Sequence, residues 1–589
     1  MTFVGRSDRG PVAAPRGSGI YPAGEPPDPH RLRRDPRLSS LVLAGYGIAA
    51  AALFWQAWVS PGDRMVGVGG DAIQQLWVIS WAAHAVSHGA LPFYTHLLNY
   101  PNGVNLMWDG IPFPLVPAFA VADAIAGPVP AYDFMMTLVL ALNAWCGYLA
   151  CGHWAEHRGA AVLGGFLFGF GPAVVNQALD HPFLAAVFIL PLALLCLDHL
   201  AVRQSSAPWR WGILLGLLAA AQFYMAEEIW ATMAVVSAAG LLWLGCYRRR
   251  SVLGRLPHLV EGLGWALLVM TPLVAGPILF QFFGPGAVHG PPLPASFFSG
   301  YLLGFVVPTW VTALNVPPLL HLSLFGFYVG LPILALVAVL WLRDRGALVV
   351  GFFMGWTLII AVLLLGPGLR FVAGPSSLPL PDLLLEHIPF LGYFLPVRLE
   401  LYLDLGVAIV AALLVDRALR RPPTRLEVLL LVLAVASWFP TVTYPAVAVS
   451  TPAFFATTHL PSHRSLLIIP FARNVNSDTA MLWQVQNDFR YPTPDGYFTR
   501  VGSNVPHPHG PAPTPFTEDI WMIQTGGAAP PVTPHLRSEA SDYLRQHGVA
   551  VTALGPMLGR SAMRRWLSLV FGRAPTTVGG ADIWYSIPP

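Results

Sequence analysis

The chain is predicted to be a multi-pass α-helical membrane protein with a small C-terminal extracytoplasmic α/β domain. Three observations predict it. Of the 589 residues, 55% are hydrophobic and only 11% are charged, whereas soluble domains carry roughly 25% charged residues; mean hydropathy is +0.58. Apolar runs of about 20 residues, enough to cross a ~30 Å hydrocarbon core, recur through the first three quarters. After Pro440 these runs stop and short, β-like apolar segments take over.

Residues 1–38 are rich in Pro, Gly and Arg and read as a disordered cytoplasmic tail. They lack the short charged start of a signal peptide, and Leu41–Val59 lacks an A-x-A cleavage site, so that segment reads as an uncleaved anchor. Residues 39–444 are expected to form the transmembrane domain, with eleven spans near 40–59, 132–152, 159–177, 183–200, 211–226, 229–246, 259–282, 320–341, 347–366, 397–415 and 426–444. Basic residues mark the cytoplasmic side. All 33 are arginine. Arg31, Arg33, Arg34 and Arg37 precede the first span, which places the N-terminus inside. The inner loops then hold Arg158; Arg203 and Arg210; Arg248, Arg249, Arg250 and Arg255; Arg343 and Arg345; and Arg417, Arg420, Arg421 and Arg425. Arg64 and Arg370 fall in outer loops, and Arg398 at a span entrance. The expected location is the plasma membrane.

One further apolar stretch, Ile111–Ala126, contains Pro112, Pro114 and Pro117. If it spanned, every later arginine would face outward, so it is assigned to the membrane surface or a re-entrant position. Residues 60–131 then make one long outer loop. Within it, Asp71–His88 reads as an amphipathic interfacial helix with Trp77, Trp81, His84 and His88 on one face. Tyr100-Pro101-Asn102-Gly103 is a turn signature.

Residues 445–589 are expected to form the outer α/β domain. Ser465–Pro470, Val549–Leu554 and Ile583–Ile587 read as strands, Ser538–His547 as a helix, and Asn504–Pro515 as a loop. The formal charge of +3 leaves no nucleic-acid footprint. Cys146, Cys151, Cys196 and Cys246 all sit in or beside apolar runs, so no disulfide framework is implied.

Most of the functional signal lies in Gly69-Gly70-Asp71-Ala72-Ile73-Gln74-Gln75-Leu76-Trp77, a few residues past the first span. Asp71 there is hydrated enough to ionise and close enough to the bilayer to reach a lipid headgroup, which suits a catalytic base. Gly-Gly before Asp also fits helix N-capping, and the two roles are compatible. Asp109, in Asn99–Asp109, is either a second acid for the site or a turn former. His181, in Asp180-His181-Pro182, is either a phosphate or acceptor ligand or an interfacial loop residue. Glu227 and Glu228 fall at an outer span junction. Adjacent carboxylates at that depth are costly unless hydrated or paired, or they complement the helix dipole. Arg398 is a partner for a lipid phosphate or for Glu400. His84/His88 and His507/His509 are weak metal cues, since no H-E-x-x-H arrangement accompanies them. There is no Walker A, dinucleotide or nucleophile-elbow motif.

The chain resembles the GT-C integral-membrane glycosyltransferases. The shared features are an acid early in a long first outer loop (Asp71 in GGDAIQQLW), a proline-bearing surface helix (Ile111–Ala126), a span opened by His181 (HPFLAAVFILPLALLCLDHL), and many further spans. The resemblance covers roughly residues 40–445. It implies transfer of a sugar from a polyprenyl-phosphate donor to an envelope glycan or lipid hydroxyl on the outer face. Asp71 would be the general base and the anomeric centre would invert. Asp109, His181, Glu227, Glu228 and Arg398 are the expected substrate-binding residues. Some branches pair two adjacent acids; here Gly70 and Ala72 flank Asp71, which favours a base that works without metal. A divalent metal is compatible with the chemistry but has no support in the pattern, and no other cofactor is expected. Membrane lipids are the remaining partners. Two rival readings are a lipid or glycan transporter, for which inverted repeats are missing, and a non-catalytic envelope scaffold.

Overall fold

A computed structural model describes residues 36–585, except 248–252, 289–297, 316–325, 344–347, 373, 375–377, 389–394, 461–462, 473–478 and 501–508. The principal helices are α1 (Pro36–Leu53), α2 (Asp71–Ser87), α3 (Val116–Ala126), α4 (Pro128–Trp154), α5 (Arg158–Gly169), α6 (Pro172–Gln177), α7 (Ile189–Asp198), α8 (Pro208–Met225), α9 (Glu227–Tyr247), α10 (Leu256–Phe283), α11 (Leu331–Arg343), α12 (Leu348–Leu364), α13 (Glu400–Ala418) and α14 (Arg425–Trp438). Every one of the eleven predicted spans contains a helix.

Among the described residues, six helical stretches are long and apolar enough to cross a membrane: Pro36–Leu53, Pro128–Trp154, Arg158–Gln177, Pro182–Arg203, Glu227–Tyr247 and Leu256–Phe283. The protein is thus a multi-pass membrane protein. The other five predicted spans hold helices that are shorter or more polar. α13 shows why polarity is tolerated: every residue except Arg417 is buried, including Glu400, Asp404 and Asp416. It is the hub of the bundle, packed on α5 and α12, so its acids meet protein rather than lipid. α10 is its opposite, with Val260, Leu267, Leu268 and Leu279 exposed in a lipid-compatible ring.

Small residues bring helices together where polar groups must meet. A Cβ on Gly165 of α5 would lie 2.5 Å from the Ala144 carbonyl of α4, the close approach that small residues permit between membrane helices. α5 breaks at Gly171-Pro172, and the Asp404 carboxylate accepts the Ala173 N–H at the start of α6 at 3.0 Å.

The proline-bearing segment behaves as its composition requires. A 3-10 turn at Phe113–Leu115 leads into α3, which is eleven residues long and stops at Gly127 (φ 87). That is too short to span, and Val121 and Ile125 are exposed.

The C-terminal residues form a four-stranded sheet in the order β3 (Ser465–Ile469), β4 (Val549–Leu554), β6 (Ala581–Tyr585), β5 (Thr576–Val578). β3 and β4 run parallel; the other pairs are antiparallel. β3 is buried throughout and apolar after Ser465 because both faces are covered. Leu467 and Ile469 pack with Phe516, Leu536 and Trp566 of the C-terminal helices, while Leu466 and Ile468 face the main core. The alternation is the period of two that a strand imposes. Residues 504–508 of the predicted Asn504–Pro515 loop, His507 among them, lie outside the described residues; the rest is irregular up to the helix that begins at Pro515. Two strands tie the termini of the bundle together, β1 (Arg64–Val66) pairing antiparallel with β2 (Ala446–Ala448).

The expectation for α2 needs correction. Trp77, Trp81, His84 and His88 do share a face, with ring centroids 6.2, 5.9 and 4.2 Å apart in succession. That face does not lie on lipid. Trp77 and Trp81 pack edge-on against Phe489, and the Trp77 indole N–H donates to Gln484 Oε1 at 2.7 Å. Residues some 400 positions downstream fold back over the helix and bury it.

Candidate active site

Asp71 is reached through Gly67, Gly69 and Gly70, all at positive φ. Gly67 must be glycine, because a Cβ there would sit 2.1 Å from the Leu179 carbonyl oxygen. Val68 N–H donates to that same oxygen at 3.2 Å. The contact draws the Asp71 turn against the turn that carries Asp180 and His181. Gly70 is the N-cap of α2 and no side chain caps the helix. Asp71 is therefore the first helical residue, and its carboxylate is stabilised by the helix N-terminus without being the cap.

His181 bridges two acids. Its Nε2 lies 2.9 Å from Asp71 Oδ2 and its Nδ1 2.6 Å from Asp180 Oδ1. An imidazole that meets a carboxylate oxygen at each nitrogen carries both protons. Burial opposes that charge, but the hydrogen bonds to Asp180 and Asp71 outweigh it and push the His181 pKa up to about 9. Burial likewise pushes the Asp71 carboxyl up; the hydrogen bond and charge of His181, with smaller help from Tyr497 and His509, hold it below its ordinary value. At neutral pH the pair is carboxylate and imidazolium.

A second group adjoins the first. Arg398 Nη1 donates to Gln177 Oε1 at 2.9 Å, and Gln177 Nε2 donates to Glu400 Oε1 at 2.6 Å. Arg398 Nε stands 3.6 Å from Glu228 Oε2. It is buried and makes no hydrogen bond among the described residues. Glu228 Oε1 also accepts the Leu395 N–H at 2.7 Å. Charge interactions of Arg398 and Glu228 with His181 connect the two groups.

The structure thus brings Asp71, His181, Arg398 and Glu228 to one end of the bundle. Glu227 turns away: its carboxylate accepts from Gln281 Nε2 at 2.5 Å, and the same amide donates to the Met107 carbonyl. Asp109 lies near Asp71 but is engaged from behind. One oxygen takes Gln74 Nε2 at 3.2 Å, Thr499 N at 2.8 Å and Thr499 Oγ1 at 3.0 Å. Burial drives its pKa up to about 7 against those bonds. It fastens the loop to the C-terminal residues rather than facing open space.

Three groups, Asp180, Gln177 and Tyr497, went unassigned in the sequence. Asp180 stood beside His181 without a role. Gln177, beside Asn176 at the end of an apolar run, marks a buried network but not its partner; Glu400 is expected as a partner of Arg398, and the structure sets Gln177 between the two. Tyr497 carries no local signal at all. Asp71, Asp180 and His181 each offer one ligand atom, all within 4.8 Å of one another, a donor set of two carboxylates and an imidazole that fits a divalent cation. Asp180, from another loop, stands near Asp71 and is joined to it through His181.

Residues 42–374 match the family model described as a domain of unknown function, DUF6311. No curated protein matches the chain in sequence. Among solved structures, the chain is similar to the arabinofuranosyltransferase AftD from Mycobacteria, at 15% identity and a TM-score of 0.52, covering 94% of this chain and 40% of that one. A variant of the same enzyme gives 16% identity and a TM-score of 0.56, with 94% and 42% covered. ArnT from Cupriavidus metallidurans is 13% identical with a TM-score of 0.45, covering 92% and 98%. The AftD likeness bears out the GT-C-like fold class. The chain spans about two fifths of the AftD length.

Proposed function

The chain belongs to the DUF6311 family, and we propose that it is a membrane glycosyltransferase that moves a sugar from a polyprenyl-phosphate donor to a hydroxyl of an envelope glycan or lipid. The observation that carries this reading is an ionised acid and a buried guanidinium at the same end of a membrane bundle, linked through one imidazolium. In the proposed reaction Asp71 takes the acceptor proton as the hydroxyl oxygen attacks the anomeric carbon. The bond from that carbon to the phosphate oxygen breaks, and its electron pair leaves with the lipid phosphate. A single displacement inverts the anomeric centre.

Arg398 serves the leaving group. Its buried Nε–H is available for charge-assisted hydrogen bonding to a phosphate oxygen, and Gln177 fixes the guanidinium. His181 adds positive charge between the two centres. A divalent cation held by Asp71, Asp180 and a deprotonated His181 would replace the imidazolium as the positive charge near the phosphate. An apolar groove supports a lipid substrate. Met233, Val236, Leu244, Trp356, Tyr402 and Leu405 are among its walls. It begins one turn beyond Glu228 and Arg398, where Thr232 Oγ1 meets the Tyr402 hydroxyl at 3.0 Å. We place the isoprenoid tail there and, from the arginine pattern, the site on the outer face with the N-terminus inside. The C-terminal sheet then lies outside the cell.

The test is turnover. The purified protein in lipid nanodiscs is given polyprenyl-phosphate arabinofuranose or mannose with octyl glycoside acceptors. Expected is a new glycosidic bond of inverted configuration by NMR. Movement of the lipid between leaflets with no transfer to any acceptor would replace this reading with the transporter.

A further inference from the structure

Asp404 of α13 lies one turn deeper in the bundle than Glu400, about 6 Å along the helix axis, and is fully buried. Its Oδ2 accepts the Ala173 N–H at 3.0 Å. Its Oδ1 makes no hydrogen bond among the described residues. The nearest cation in sequence, Arg398, is engaged by Glu228 and Gln177 instead. A carboxylate inside a membrane bundle is costly unless it is paired or coordinates an ion.

This acid faces a broken helix. α5 stops at Gly169, Gly171 is extended (φ −64, ψ 157), and α6 starts at Pro172. In a continuous helix the Phe168 and Gly169 carbonyls would take the N–H groups of residues 172 and 173. Pro172 has no N–H, and Ala173 gives its own to Asp404. Those carbonyls form the negative end of α5. The carboxylate stands at the same point: a Cβ on Gly171 would press on Asp404 Oδ2 and, at 2.6 Å, on the Leu167 carbonyl oxygen. A carboxylate and a negative helix end held together call for a cation between them.

We propose that Asp404 and the C-terminal carbonyls of α5 bind a sodium ion. The donors are all oxygens, which select a hard cation. A single carboxylate balances a single charge, and Mg²⁺ gives up its water too reluctantly for a buried position. Interrupted membrane helices present carbonyls to Na⁺ in this way. The ion would brace the start of α6, whose last residue, Gln177, accepts the His181 N–H on its carbonyl at 2.8 Å and holds Arg398 with its side chain. The proposal does not depend on the transferase reading, and its test needs no turnover.

The full chain in nanodiscs, freed of sodium in choline chloride, is titrated with NaCl at constant ionic strength. Tryptophan fluorescence should show Tm rising by about 3 °C or more and levelling off by about 100 mM, with a smaller rise in KCl. Scintillation proximity binding of radioactive sodium should saturate and be displaced by NaCl but not by choline chloride. Asp71→Asn keeps this binding, which sets the site apart from Asp71, Asp180 and His181. Asp404→Asn loses it. Gly171→Ala, whose methyl group meets the carboxylate, weakens it by roughly tenfold and decides the matter where Asp404→Asn does not fold. A Tm that ignores sodium, or that responds equally to NaCl, KCl and choline chloride, overturns the proposal and leaves Asp404 a neutral acid. Sodium binding that survives in Asp404→Asn, or is unchanged in Gly171→Ala, overturns it as well.

Discussion

His181→Gln tests the electrostatics of the site. The substitution keeps a polar side chain of similar reach but removes the charge between Asp71 and Asp180. The protonated ring is favoured by the rise of the His181 pKa from 6.5 to about 9. At about 1.4 kcal/mol per unit, this amounts to roughly 3 kcal/mol of interaction with the two carboxylates. The side chain is 24% exposed, so solvent removes little of it. The sign follows from the direction of the rise. The folded-state pKa lies above the unfolded one, so the contribution is fully present below pH 6.5, declines as pH rises, and is gone above about 9. Thermal unfolding of wild type and His181→Gln, read by tryptophan fluorescence in detergent between pH 5.5 and 9.5, should show a gap that is widest at pH 6 and closes near 9. A gap of equal size at pH 6 and 9.5 would mean that the ring is neutral in the folded protein and that the imidazolium argument is wrong.

Three other outcomes are expected. Arg398→Gln should raise the donor KM by about tenfold while leaving the acceptor KM alone, because it removes a charge-assisted contact to phosphate; equal KM values in steady-state assays would remove Arg398 from the phosphate site. Gly67→Ala should cost roughly 2 kcal/mol or more, since both φ +110 and the Leu179 carbonyl exclude a Cβ, and an unchanged melting temperature would contradict the packing of the two turns. Trp77→Ala should cost about 3–5 kcal/mol and loosen the C-terminal residues from α2; limited proteolysis should then cut after residue 445 faster than in the wild type, with helical circular dichroism retained.

The reach of sequence reasoning differed between the bundle and the site for a physical reason. Span positions follow from local hydrophobicity, and each predicted span does hold a helix. The start of α2 at Asp71 and the short helix after Pro112, Pro114 and Pro117 follow from glycine and proline geometry alone. Capping was misjudged because Gly70 can adopt φ 63 and become the N-cap itself. The face of α2 was misread because aromatic and histidine spacing looks the same whether lipid or Phe489 covers it. The acid beside Asp71 was sought at neighbouring positions and at Asp109, whereas Asp180 comes from another loop through the Gly67–Leu179 contact. Tyr497 is separated from Asp71 by more than 400 residues, and no period or spacing links them. Asp109 shows the converse: an acid in the right loop that its neighbours have already engaged.

The central claim is that Asp71 takes the acceptor proton. Asp71→Asn keeps the size of the side chain and removes the base. Single-turnover transfer with donor prebound should fall by 10²–10⁴-fold while the affinity for the polyprenyl-phosphate donor stays within about threefold of wild type. An Asn variant that transfers sugar at the wild-type rate would contradict the account.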